Sequence, residues 1–248
     1  MLDKRLIEFR KKVRINGKNI VKELIHNSIA KSCAFCRTEV SLTKEHVLPK
    51  WVFENNPTKG FISTANDQNQ NYGRATIPAC FECNSYILGE LEKYVEIEIR
   101  KFDPTKKTFL TDKALEKIIL WLEIIDYKFQ YLELRRKFNR KRDNDFIRYL
   151  KNIPIGVMQD LDLTPSRVFT LLRTAMSKLS VKSKTNRLNS LLIFTTANHA
   201  FHFFHKRNDF IFIELPEYKT AIFYFLSDTF NTPDEAHKKA MKIMEEVY

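Results

Sequence analysis

Cys33-Ala34-Phe35-Cys36, then Lys44-Glu45-His46-Val47-Leu48-Pro49-Lys50-Trp51, then Cys80-Phe81-Glu82-Cys83-Asn84: these three stretches hold every cysteine of the 248-residue chain and decide how the rest is read. Each Cys-x-x-Cys pair sets two thiolates on one side of a tight turn, and two such turns complete a tetrahedron of sulfur around a zinc ion. Disulfides and reduced core cysteines are the alternatives. Neither explains why all four cysteines fall into two matching pairs, and disulfides are disfavoured in a reducing compartment. Zinc binding at such a site is worth on the order of 10 kcal/mol, enough to fix a loop-rich segment that packs few apolar residues. A zinc ribbon alone is a scaffold, so chemistry has to be sought in the 43 residues between the pairs.

Outward from this frame, the composition bounds the class. A hydrophobic content of 44% with 12% aromatics supports a buried core and a globular chain. The longest apolar stretches, Ile118 to Leu122 and Ala221 to Leu226, fall far short of the roughly 20 residues that span a bilayer. The N-terminus carries Asp3 and Glu8 and lacks an apolar region with a cleavage site, so no signal peptide is expected and the compartment is read as cytoplasmic. The net charge is +12, from 42 Lys and Arg against 30 Asp and Glu. Such an excess attracts polyanions, nucleic acid above all, with a merely solvated basic surface as the alternative.

The chain divides by texture into a basic helical leader, residues 1–32; the motif-bearing module, residues 33–100; and a helical then α+β accessory region, residues 101–248. Leu6, Ile7 and Phe9, then Ile20, Val21, Leu24 and Ile25 give the leader helical spacing, with Gly17 expected to break it. Thr111 or Asp112 caps a long helix, Lys113 to Phe138, with Leu115, Ile118, Ile119, Leu122, Ile125 and Phe129 on one apolar face. A second helix is expected from Thr164-Pro165 to Leu179. Four runs follow, Ser190 to Thr195, Ala200 to His205, Phe210 to Leu215 and Ala221 to Leu226, whose short polar breaks suit an antiparallel meander. Thr232 caps a final helix, Asp234 to Val247. The expected fold class is α+β.

Arg135, Arg136, Lys137, Arg140, Lys141 and Arg142 place six cations in eight positions, a candidate phosphate-binding cluster. A helix end that complements its macrodipole accounts for one or two of these, not six. Lys178, Lys182, Lys184 and Arg187 form a weaker second patch. His199, His202 and His205 recur every third residue, but on a strand His202 points away from the other two, which argues against a shared metal.

The order Cys-x-x-Cys, Glu45-His46-x-x-Pro49, Cys-x-x-Cys-Asn84 resembles the HNH endonucleases over about residues 33 to 100. The resemblance implies a zinc-stapled ββα-metal module that hydrolyses phosphodiester bonds of nucleic acid, DNA first among them, in bacterial defence or mobile-element biology. By that match His46 is the general base. Glu45, where the family usually has Asp or His, and Asn84 hold a catalytic magnesium or manganese ion through oxygen. The middle asparagine that orients the base falls on Asn66, Asn69 or Asn71, with Asn71 chosen. Asn84 is also a natural helix cap. Pro49 and Trp51 are read as a turn and a core anchor. Two readings from other classes stand beside this one: a non-catalytic zinc-containing nucleic-acid-binding protein, and an adaptor that docks a protein partner or a second copy of itself through the C-terminal region.

Overall fold

The computed structural model describes residues 2–25, 32–54, 60–63, 68–103, 110–140, 187–206 and 209–247. Helix α1 (Lys4–Ile25) opens the chain. Asp3 caps it through Oδ1, which accepts from the Leu6 backbone nitrogen at 2.9 Å. Leu2, Leu6, Phe9 and Val13 are buried at helical spacing, whereas Ile7 lies on the outer side. The helix runs through Gly17 without a break, contrary to expectation. A Cβ built at Gly17 would meet the Tyr127 ring at 3.9 Å, so the glycine lies against α3. Its helix penalty of about 1 kcal/mol is small against the burial of the face that α1 presents.

The module begins with the Cys33–Cys36 turn and strand β1 (Leu42–His46), which pairs antiparallel with β4 (Thr76–Cys80). The register sets Leu42 opposite Cys80 and His46 opposite Thr76. One end of this ribbon therefore carries the second cysteine pair, and the other carries the histidine. A short hairpin, β2 (Gly60–Ser63) with β3 (Gln68–Asn71), projects between them. Directly after β4 the chain enters a π-helical stretch, Glu82–Leu88, which continues as α2 (Gly89–Lys101). The result is two antiparallel strands followed by a helix. In the widened turn the Gly89 N–H reaches back to the Asn84 carbonyl.

Helix α3 (Asp112–Arg140) is the axis of the molecule. Thr111 caps it, its Oγ1 accepting from the Ala114 nitrogen at 3.3 Å. A single apolar face was expected, but α3 is buried all round: Ile118, Leu120, Trp121, Leu122, Ile124, Ile125, Tyr127, Phe129 and Tyr131 are all within the core. A helix hydrophobic on every side is one enclosed by neighbours. Here α1, α2 and β4 pack against it, and Phe129 meets Phe61 of β2 and Phe203 of the C-terminal sheet.

That sheet comprises β5 (Leu191–Thr195), β6 (His202–Lys206), β7 (Phe210–Leu215) and β8 (Thr220–Phe225), in the order β5-β8-β7-β6. The strands are antiparallel as expected, but the four do not form a simple meander, because β5 pairs with β8 and not with β6. Burial explains the order. Every residue of β7 and β8 is covered on both faces, so these two must be central, while β5 and β6 keep partly exposed residues suited to edges. Helix α4 (Pro233–Val247) covers the outer face, capped by Thr232 and by Glu235, which accepts from the Asn231 nitrogen. One hydrophobic cluster extends through α1, the module, α3 and the inner sheet face, and a second lies between the outer face and α4. No helix among the described residues is long and apolar enough to cross a membrane.

The expected helix from Thr164 to Leu179, the patch residues Lys178, Lys182 and Lys184, and Lys141 and Arg142 lie outside the described residues. Arg135, Arg136, Lys137 and Arg140 lie on the last turns of α3.

Candidate functional site

The two cysteine pairs meet. The sulfurs of Cys33, Cys36, Cys80 and Cys83 lie within 4.8 Å of one another, and this is the one metal-competent group of three or more His, Cys, Asp and Glu side chains among the described residues. All four are free thiols, with Cys36 and Cys80 Sγ at 3.5 Å. Both turns aim backbone donors at the first sulfur of each pair: the Phe35 nitrogen is 3.4 Å from Cys33 Sγ, and the Cys83 nitrogen is 3.4 Å from Cys80 Sγ. Such donors stabilise thiolates. The Cys33 thiol is drawn down to about 4, first because the Cys83 thiol donates to it and then through backbone donors; Cys83, the proton-holding partner, is pushed up. Four sulfurs this close form a possible metal-binding site, and a soft, all-sulfur donor set is consistent with zinc. Three of the four cysteines are buried and Cys36 is exposed.

At the opposite end of the ribbon, His46 is half-buried and held from two sides. Its Nδ1 lies 3.0 Å from the Tyr72 carbonyl oxygen, and its ring stacks on the Tyr72 ring with centroids 3.8 Å apart and 8° between planes. A carbonyl only accepts, so Nδ1 carries a proton, and in the neutral ring Nε2 keeps its lone pair. The orienting group is thus the backbone of Tyr72. The side chain of Asn71 caps its own turn instead, Oδ1 accepting from the Gly73 nitrogen at 2.9 Å. Asn66 lies outside the described residues.

Glu45 points the other way from its neighbour, as strand alternation requires. It is buried, and its Oε1 is ion-paired with Lys128 of α3. Lys128 Nζ also lies 3.0 Å from Glu92 Oε1 and 3.1 Å from the His46 carbonyl oxygen. Burial pulls the Lys128 ammonium down, but Glu45 and Glu92 outweigh it, so the group is held above its ordinary range. Glu92 is pushed up, by burial first and by the Glu45 charge in addition, with Lys128 opposing. Asn84 meets the same strand two residues before Glu45: its Nδ2 donates to Thr43 Oγ1 at 2.8 Å, and Thr43 shares a strand face with Glu45. The oxygens left without a protein hydrogen bond among the described residues are Glu45 Oε2, Glu92 Oε2 and Asn84 Oδ1.

Lys128 and Glu92 carry no motif in the sequence. The signal for Lys128 was present, because it follows Trp121 and Ile125 at heptad spacing on an apolar helix, where an unpaired lysine is hardly ever buried. Trp51 anchors as expected, stacking on Trp121 with centroids 5.5 Å apart. Beside it a cleft of about 610 Å³ opens between Pro49, Lys50, Trp51 and the α2 residues Glu92, Lys93 and Arg100. His202 and His205 face opposite sides of their strand, as the spacing implied: His202 Nδ1 contacts Glu214 at 2.6 Å, and His205 Nε2 contacts Asp126 of α3 at 2.7 Å.

No protein-family model, curated protein or solved structure matches this chain.

Proposed function

We propose that the protein is an endonuclease of HNH type, which hydrolyses phosphodiester bonds of nucleic acid, DNA first among its substrates, in the cytoplasm. The observation that carries this reading is the state of His46: its Nδ1 proton is engaged by the Tyr72 carbonyl, and its Nε2, without a protein hydrogen bond among the described residues, is available to take a proton from water. The half-buried ring cannot turn without losing both the hydrogen bond and the stack on Tyr72.

Zinc is the metal proposed for the four-sulfur centre, where it staples the ribbon to the helix and takes no part in the reaction. A magnesium or manganese ion would be held by Glu45 and Asn84 and would supply charge neutralisation at the attacked phosphorus and the leaving oxygen. Glu45 leaves β1 on the face opposite His46, and Glu92, which shares Lys128 with Glu45 and interacts electrostatically with His46, lies between the two. Lys128 fixes the Glu45 carboxylate from behind and adds a resident positive charge to the site. Arg135, Arg136, Lys137, Arg140, Lys141 and Arg142 supply sequence-independent phosphate contacts that position the substrate.

One observation favours a second reading, that of a non-catalytic zinc-containing nucleic-acid-binding protein: a carboxylate oxygen of Glu45 is already neutralised by a buried ammonium. Zinc-loaded protein incubated with plasmid, single-stranded DNA and RNA, with and without magnesium or manganese, separates the two. The nuclease reading predicts cleavage of at least one substrate that requires the added ion and is absent when the ion is omitted from zinc-loaded protein. Intact substrates under all conditions leave the binding reading alone standing.

A further inference from the structure

Arginines from two parts of the chain that are far apart in the sequence converge on one carboxylate. Glu123 of α3 accepts from Arg10 of α1 in a fork, Nε to Oε2 and Nη2 to Oε1, both at 2.7 Å, and from the Tyr224 hydroxyl at 3.2 Å. That set satisfies the carboxylate. Two further guanidiniums nonetheless face it: Arg187 Nη1 at 3.6 Å and Arg14 Nη2 at 3.9 Å, both beyond hydrogen-bond reach. Neither makes a hydrogen bond to any other described residue. Three cations around one anion leave an excess charge of +2 in a partly covered position, with Arg14 52% and Arg187 26% exposed.

This surplus is not what a structural ion pair requires. Glu123 and Arg10 already balance, and like charges brought together without donors satisfied oppose folding. The strain is visible on Arg14, which is held below its ordinary range by burial first, with Arg187 and Arg10 opposing the attraction of Glu123. Fork-shaped guanidinium donors match phosphate oxygens, two monoanionic phosphodiesters would balance the surplus, and a chain of net charge +12 draws polyanions.

We propose that Arg10, Arg14 and Arg187 form a phosphate clamp for the backbone of a nucleic acid, with Glu123 as the internal post that holds the three arginines in place. The clamp rests on the nucleic-acid reading above but not on catalysis. Helix geometry sets Glu123 and Lys128 about 7.5 Å apart along α3 and about 140° apart around it, so the clamp lies outside the His46 site.

The test is binding of fluorescently labelled duplex DNA and the matching RNA by zinc-loaded protein without added magnesium or manganese, with probe integrity checked on a denaturing gel, across a salt series. Arg14→Gln/Arg187→Gln removes the two guanidiniums that make no hydrogen bond among the described residues and leaves the Arg10 fork intact; unchanged zinc content and far-UV circular dichroism show that it folds. The clamp predicts an affinity lower by about tenfold or more and a log-log salt slope shallower by about 1 to 2, since each lost phosphate contact removes about 0.9. Arg14→Lys/Arg187→Lys should recover most of the slope. Wild-type protein that binds neither probe, or a Gln variant with wild-type affinity and slope, overturns the clamp. If wild-type protein binds with the predicted dependence yet never cleaves with magnesium or manganese, the nuclease reading fails while the clamp stands.

Discussion

Between β1 and α2 the interior is organised by sulfur and charge, whereas between β5 and α4 it is organised by aromatic carbon. Three of the module's four thiols, Glu45 and the Lys128 that α3 supplies are buried, with Cys36 at the surface. The sheet fills the equivalent space with Phe210, Phe212, Phe223 and Phe225, whose rings meet at centroid distances of 4.8 to 6.2 Å. Buried charge and thiolate are costly unless paired or metal-bound, so they persist where they position something. Aromatic burial is favourable without any partner chemistry. The difference teaches where reactivity can be held: thiols and buried charges leave the module open to metal ions and protons, while the sheet depends on packing. Both lean on α3, which offers Lys128 to the module, Asp126 to His205 of the sheet and Glu123 to the arginines.

The largest effect should come from removing the metal. Chelation of zinc, or Cys80→Ser, deletes a contribution on the order of 10 kcal/mol. Hydrogen exchange should show amides of β1, β4 and the Glu82–Leu88 turn losing protection well before those of β7 and β8. Simultaneous loss across both regions would erase the contrast. Next, Lys128→Met leaves Glu45 and Glu92 uncompensated and should cost about 3–5 kcal/mol in urea unfolding. The double variant Lys128→Met/Glu45→Gln should recover a large part of it; no recovery would mean that Lys128 matters for packing alone. On the sheet side, Phe223→Ala should cost a similar 3–5 kcal/mol while leaving zinc stoichiometry unchanged.

A smaller effect concerns acid. Despite its burial, the Glu123 carboxyl is held below its ordinary value by Arg10, Arg187 and Arg14. A carboxylate with a lowered folded pKa contributes stability that is fully present above its unfolded pKa and is lost as pH falls through the folded value. Glu123→Gln should therefore flatten the acid limb of the stability profile, read as melting temperature between neutral pH and about pH 3. An unchanged limb would show that the arginines do not hold the carboxylate in solution.

Much of this was legible in the sequence where a residue's role is set locally. The two cysteine turns, the Thr111 and Thr232 caps and the opposed faces of His202 and His205 follow from spacing and side-chain chemistry alone. What sequence did not yield is what distance along the chain conceals. The β5-β8 pairing depends on which strands are covered on both faces, and the Glu45–Lys128 pair joins residues 83 positions apart. Gly17 misled because local propensity favours a break, and only the packing against Tyr127 reveals why the helix continues. Three asparagines, Asn66, Asn69 and Asn71, offer themselves in a stretch whose register the sequence leaves open, and it is the carbonyl of Tyr72, next to Asn71, that meets His46.

The central claim is that His46, held by Tyr72, takes a proton during phosphodiester hydrolysis. Its most direct test is the single-turnover cleavage rate of His46→Ala beside wild type, at matched zinc content and with magnesium or manganese present. The account predicts a rate lower by about 10²–10⁴-fold with unchanged affinity for nucleic acid. A variant that cleaves as fast as wild type would contradict it.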